Sequence, residues 1–156
     1  MDANASSMAT YIGRGVCAGL AGTVVMTAFQ ELVEMPVTGR GDSYAPARLA
    51  EKVLPIRPKT ARGRTCLNWT THFGLGVMWG AAYGVAARAG LRGRSALATV
   101  FSTVYTGDVL LNTALGLYQP LTWSKQDLVV DVLDKFVQAT ATGVIFDRCL
   151  DPERPS

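Results

Sequence analysis

The sequence has 156 residues, the length of one domain, of which 49% are hydrophobic, sixteen more are glycine and only 17% are charged; soluble domains carry about 25% charge. That balance excludes a disordered chain and leaves too little charge to cover an ordinary water-facing surface. The net charge of +3 does not mark a nucleic-acid binder, because seven of the 15 basic residues (Arg40, Arg48, Lys52, Arg57, Lys59, Arg62 and Arg64) crowd into one polar segment.

In chain order, residues 1–10 read as a polar tail and the first predicted helix covers about 11–34. Its centre, Gly15 to Gln30, holds sixteen residues without a formal charge. A polar stretch, 36–67, follows, opening on turn-formers and containing a short amphipathic helix over Ala47 to Val53. Ser43 is its candidate cap, and Pro55 and Pro58 close it. The second helix is predicted over 68–88, inside an uncharged run of 23 residues from Thr65 to Ala87. The third, 95–118, carries Asp108 as its only formal charge and ends on a turn at Gln119–Pro120. The fourth, 126–148, is two-faced. Relative to Asp127, the helical period puts Asp134, Gln138, Asp131 and Lys135 within an arc of about 100°. Residues 151–156 form a second tail. Each of these windows is long enough to cross a bilayer core, so the expected fold is all-α: a polytopic membrane protein with four transmembrane helices in an antiparallel bundle and one short amphipathic loop helix. The mean hydropathy of +0.20 is modest because the polar loop and the two-faced helix dilute the uncharged windows.

A central Asp or Lys costs about 2.5–3.5 kcal/mol on insertion, so the fourth helix spans only if its polar arc packs inward. Antiparallel order brings Glu31 and Glu34, Asn68 and His72, Asp108 and Asn112, and Asp127, Asp131, Asp134, Lys135 and Gln138 to one side of the bundle. Three chemistries fit that set. Lys135 neutralises Asp108 or Asp131, the latter at i, i+4 spacing; the carboxylates and His72 form a proton or cation path; or the acids and His72 hold a metal. The last lacks the Glu-x-x-His pair of di-iron bundles, so no metal and no cofactor is assigned. Catalysis is not assigned either: His72 is the only histidine, and no Gly-x-Ser-x-Gly, Walker or dinucleotide motif is present.

Gly15, Gly19 and Gly22 form a small-residue seam on the first helix, and Gly76, Gly80 and Gly84 make two overlapping GxxxG steps on the second. Such faces let helices approach closely in lipid, within one chain or against a second copy or a membrane-complex partner. Cys17, Cys66 and Cys149 are too far apart for a metal knuckle and read as small apolar fillers. Tyr11, Trp69, Tyr118 and Trp123 sit at predicted helix ends, as interfacial anchors do. Positive charge does not fix the orientation: eight basic residues fall on the loop side and six on the side of the termini.

The stretches Glu31-Leu-Val-Glu-Met-Pro36, Ala45-Pro-Ala-Arg-Leu-Ala-Glu51, His72-Phe-Gly-Leu-Gly76 with the later Tyr83-Gly84, and Gly116-Leu-Tyr-Gln-Pro120 together resemble the YagU-like small inner-membrane proteins of bacteria. The resemblance implies a multi-pass protein of the bacterial plasma membrane, in a family associated with acid tolerance and without an assigned biochemical activity. The acidic face of the last helix departs from that pattern. The functional expectation is therefore a small membrane protein that handles protons or cations through its buried carboxylates and histidine. The alternative is a non-catalytic accessory subunit that packs through its glycine faces.

Overall fold

The computed structural model describes residues 7–153, so residues 1–6 and 154–156, parts of the two polar tails, lie outside the described residues. The first helix, α1 (Met8–Thr38), starts where the Ser7 hydroxyl accepts the Thr10 N–H at 3.2 Å. It is α-helical over Met8–Phe29, widens into a π-helical turn over Gln30–Glu34 and closes with Met35–Thr38. The Met35 N–H reaches back to the Gln30 carbonyl. This wide turn lets the chain carry Pro36 without the ring clash a regular helix interior would impose, and α1 therefore runs past its expected end at 34.

The amphipathic helix α2 (Ala45–Val53) has no side-chain cap from its own N-cap residue, Tyr44. Asn68 takes that role from across the chain: its Oδ1 accepts the Ala47 N–H at 3.0 Å and its Nδ2 donates to the Ser43 carbonyl at 3.1 Å. Replacing Asn68 with Ala is expected to cost about 1 kcal/mol, the usual value of a lost cap, and to free α2; faster amide exchange confined to 45–53 would register it.

Helix α3 (Ala61–Arg88) begins seven residues before the predicted start at 68, because the Thr60 hydroxyl caps the Gly63 N–H at 3.0 Å and arginines such as Arg62 and Arg64 are good helix formers. It ends at a Schellman turn. Gly90 adopts φ 88°, and the Leu91 N–H reaches the Ala86 carbonyl at 3.0 Å. Helix α4 (Gly93–Ala114) stops short of 118 for the same reason: Gly116 has φ 71° and the Leu117 N–H returns to the Asn112 carbonyl at 2.8 Å. A 3₁₀ turn over Pro120–Thr122 leads to α5 (Lys125–Ile145), which opens on a reciprocal capping box between Ser124 and Asp127 and continues as a π-helical turn over Phe146–Leu150.

The chain is all-α, with no strand among the described residues. Helices α1, α3, α4 and α5 alternate in direction. Helix α1 packs along both α3 and α5, α4 closes the side between α3 and α5, and α2 lies on α3. The α1–α3 seam is built from the backbone itself. A Cβ added at Gly15, Gly19, Gly76, Gly80 or Gly84 would run into the facing helix, at backbone atoms for all but Gly76, where it meets the Thr23 side chain. Gly22 packs in the same way against Thr142 of α5, and a Cβ at Gly143 would lie 2.8 Å from the Tyr83 ring. The glycine faces are thus used within the chain.

Of these helices, α1 alone is long and apolar enough to cross a membrane by length and composition, with a mean hydropathy of 1.5 over its best window. The expectation of four such helices rested on missing charge, and missing charge is a weaker property than apolarity. The uncharged stretch of α3 is diluted by glycine, threonine, Asn68 and His72, that of α4 by threonine, Asp108 and Asn112, and α5 keeps its charged arc.

Two smaller expectations change as well. Cys17, Cys66 and Cys149 are all exposed rather than interior fillers. Tyr11, read as an interfacial anchor, is fully buried and stacks on Phe146 with ring centroids 6.4 Å apart; the absence of side chains at the nearby glycines makes room for it.

Candidate functional site

Where α1 ends, α3 begins, α4 ends and α5 begins, the four helices diverge around a cavity of about 500 Å³. Glu31, Glu34, His72, Asp108, Asn112, Asp131, Asp134, Lys135 and Gln138 all line it, with Asn68 and Asp127 at the mouth. The ends of antiparallel helices bring these residues together across as many as 107 positions of sequence, from Glu31 to Gln138.

Three groups of contacts organise the site. In the first, Lys135 forms ion pairs with Asp131 one turn back and with Asp108 at 3.4 Å across the α4–α5 interface. The Tyr105 hydroxyl donates to Asp131 at 3.0 Å, and the Asn112 amide donates to Asp108 at 2.9 Å. The Tyr105 and Tyr118 rings each stand 5.6 Å from the ammonium, within reach of a cation–π attraction. Two carboxylates, one ammonium and two neutral donors leave this group one negative charge in excess.

In the second, the Gln30 amide donates to Asp134 Oδ2 at 2.6 Å, while Glu34, 8% exposed, accepts the Thr38 hydroxyl at 2.9 Å. Gln30 and Glu34 bound the π-helical turn, which adds a residue to the turn and so brings both side chains to the inner face of α1; such bulges recur at functional sites. Glu31, between them in sequence, stays exposed at the mouth. Neither Glu34 nor Asp134 has a cation within ion-pair distance among the described residues.

In the third, His72 Nε2 lies 2.9 Å from the Thr27 hydroxyl and its ring meets Trp69 edge-on, with centroids 5.6 Å apart. Gln138, 2% exposed, donates to the Gly19 carbonyl at 3.2 Å and to the Thr142 hydroxyl at 3.3 Å, anchoring α5 to α1. Among the described residues no three of His, Cys, Asp and Glu stand close enough to share a metal ion. The carboxylates of Glu34, Asp108, Asp127, Asp131 and Asp134 are spread along the wall and each accepts at least one hydrogen bond from a protein donor.

Gln30, Thr27 and Tyr105 were not legible as site residues. Neutral side chains in an uncharged window carry no sequence signal, although Tyr105 stands one turn before Asp108 on the same face. Tyr118, placed by sequence in an interfacial belt, lines the cavity instead.

A second polar cluster at the opposite end of the bundle was also missed. Arg92, in the turn between α3 and α4, grips Asp151 with Nε–Oδ2 2.5 Å and Nη2–Oδ1 3.1 Å, and donates to the Leu91 carbonyl at 2.8 Å. Asp147 accepts the Tyr83 hydroxyl at 2.8 Å and the Gly93 N–H at 2.9 Å. This clasp ties the C-terminal π turn to the α3–α4 turn. Burial works to raise the Asp151 carboxyl, but the Arg92 guanidinium and the Glu153 N–H outweigh it and hold it below its ordinary value. A depressed carboxylate gives stability that is fully present above its unfolded pKa, about 3.9, and that is lost as pH falls toward the lower folded value. Arg92→Ala is therefore expected to cost about 2 kcal/mol at neutral pH, with the difference from the parent protein narrowing only below about pH 4. Thermal melts across that range would show it.

The chain matches no protein-family model, no curated protein and no solved structure.

Proposed function

We propose that the chain is a four-span protein of the bacterial plasma membrane, as its resemblance to the YagU-like proteins implies, and that it handles protons or cations through the carboxylates and histidine of its cavity. The observation that carries this reading is the exposure of many large aliphatic side chains around an interior that also holds polar groups. The buried positions include Thr23, Glu34, Asn112, Gln138 and Thr142 together with the glycine seam, whereas Leu32, Val37, Leu110 and Val129 are 76%, 80%, 64% and 60% exposed. Water-soluble folds bury such aliphatic side chains; an apolar surround makes their exposure favourable, and it drives the polar arc of α5 inward. The most apolar window of α1 is only 22% buried in the protein, which fits a helix whose remaining surface faces lipid.

Inside that envelope sits a cavity with more acids than bases, two of whose carboxylates, Glu34 and Asp134, have no cationic partner among the described residues. Ionisable groups held in this way favour cations and exclude anions. Reconstituted in liposomes, Asp108→Asn and Asp134→Asn are expected to change the dissipation of an imposed proton or alkali-cation gradient at least severalfold. Unchanged flux in folded variants would reject this function.

An accessory-subunit role has one observation in its favour. With the glycine faces filled from within, Leu128, Val129, Val132, Leu133 and Phe136 make an apolar concavity on the outer face of α5, a surface that a partner could cover as readily as lipid.

A further inference from the structure

The segment between α1 and the body of α3 carries charge that the rest of the fold does not use. Residues 45–64 hold six basic side chains, Arg48, Lys52, Arg57, Lys59, Arg62 and Arg64, against one acid, Glu51. Glu51 is taken by Arg64 at 3.3 Å, and none of the other five comes within ion-pair distance of a carboxylate among the described residues. All six are exposed.

Local structure sets what stands beside those cations. Helix α2 lies on α3 with Ala47 and Ala50 buried, and the helical period puts Arg48 and Lys52, one turn apart, on the face turned away from that contact. Beyond α2 the backbone is braced in an extended form. Leu54 and Arg57 each precede a proline, which disfavours the helical region; Leu54 has φ −111° and ψ 151°, and the Arg57 guanidinium donates to the Leu54 and Ile56 carbonyls at 3.1 and 2.7 Å. Val53, Leu54 and Ile56 are held exposed in this way between Lys52 and Lys59. On α3, the exposed Trp69 follows Arg62 by two turns on the same face, about 10 Å further along the helix. Cations alone would suit any polyanion. The aliphatic ridge between them selects one that carries hydrocarbon beneath its phosphates, and an exposed Trp at that depth matches the level of lipid headgroups.

We propose that residues 45–64 form a docking surface for anionic phospholipid. Headgroup phosphates accept from Arg48, Lys52, Lys59 and Arg62, while Val53, Leu54 and Ile56 enter the boundary of the acyl chains. Because Arg48 and Leu49 also line the cavity, the docked lipid lies at its mouth. The inference rests on the reading of the chain as a membrane protein and does not depend on what the cavity handles.

The test is native mass spectrometry of the full chain in detergent micelles titrated with dioleoyl phosphatidylglycerol or dioleoyl phosphatidylcholine. The expected result is at least tenfold tighter binding of phosphatidylglycerol. A basic side chain at an anionic surface strengthens binding about fivefold, so the triple variant Lys52→Gln, Lys59→Gln, Arg62→Gln should bring the preference down at least tenfold. The matched variant at the opposite end, Arg88→Gln, Arg94→Gln, Arg148→Gln, also removes three exposed cations and should leave the preference within twofold. Equal affinity of the parent protein for the two lipids would overturn the proposal whether or not either variant folds. So would a preference that survives the first variant or falls equally in the second. Displacement of bound phosphatidylglycerol by an equimolar twelve-base oligodeoxynucleotide would overturn it too, and would make the segment a nucleic-acid surface. If alkaline carbonate releases the chain from vesicles while the phosphatidylglycerol preference holds, the membrane spans fall and the docking surface stands. If the chain is retained and shows no preference, the spans stand and the docking surface falls.

Discussion

Replacing Lys135 with Met is expected to destabilise the bundle by about 3–5 kcal/mol, the cost of breaking a buried ion pair from one side. Methionine fills a similar volume and suits a helix, so packing and propensity change little. What changes is charge. Asp131 and Asp108 lose their shared cation and are left facing each other across the α4–α5 interface, with Tyr105 and Asn112 supplying only neutral donors. Removing the charge from the other side should reverse most of the loss: in the Lys135→Met background, Asp108→Asn together with Asp131→Asn is expected to recover at least half of it. A denaturant titration in detergent of the four proteins in this cycle separates the pairwise interaction from the loss of each side chain. Equal stability of Lys135→Met and the parent would mean that the three charges are hydrated rather than coupled.

Gly80→Leu is expected to prevent the α1–α3 pair from forming. A Cβ at Gly80 already meets the Gly15 carbonyl and approaches the Gly19 Cα at 2.9 Å, so the two helices must separate before any of the remaining side chain is placed. Losses above about 4 kcal/mol belong to such cases. Gly74 is the internal control: it lies six residues back on the same helix, about 120° round from Gly80, with nothing within 4 Å of an added Cβ. Gly74→Ala should be neutral or stabilising by about 0.5–1 kcal/mol through helix propensity. Size-exclusion profiles and thermal melts of the two variants would distinguish a steric seam from a general dislike of glycine replacement. Because the seam is internal, Gly80→Leu reports on folding and does not test assembly with a partner.

What could be read from the sequence was what repeats along a helix. The Gly76, Gly80 and Gly84 spacing marks one face of α3, and the arc of Asp127, Asp131, Asp134, Lys135 and Gln138 marks one face of α5. The facing residues were beyond reach, because pairing Gly80 with Gly15 requires the register between two helices. Helix ends depended on single capping contacts: Gly116 stops α4 four residues early, and Thr60 starts α3 seven residues early. The hydrogen bond from Gln30 to Asp134 needed the π turn that re-aims the end of α1, and nothing in Gln30-Glu-Leu-Val-Glu34 signals a π turn by period alone. The Arg92 clasp joins positions 59 residues apart, and its arginine looked like ordinary loop charge.

The central claim, a polar cavity enclosed by helices that cross a bilayer in alternate directions, can be tested with the chain's own thiols. Cys66, near the start of α3 at the cavity end, and Cys149, in the C-terminal π turn, are both exposed and lie at opposite ends of the bundle. Three of the four proposed spans, α3, α4 and α5, separate them. In sealed vesicles of one orientation, a membrane-impermeant maleimide added outside should label one of two single-cysteine proteins, retaining Cys66 or Cys149, and should label the other only after the vesicles are permeabilised. Labelling of both from the same side of intact vesicles would contradict the four-span bundle.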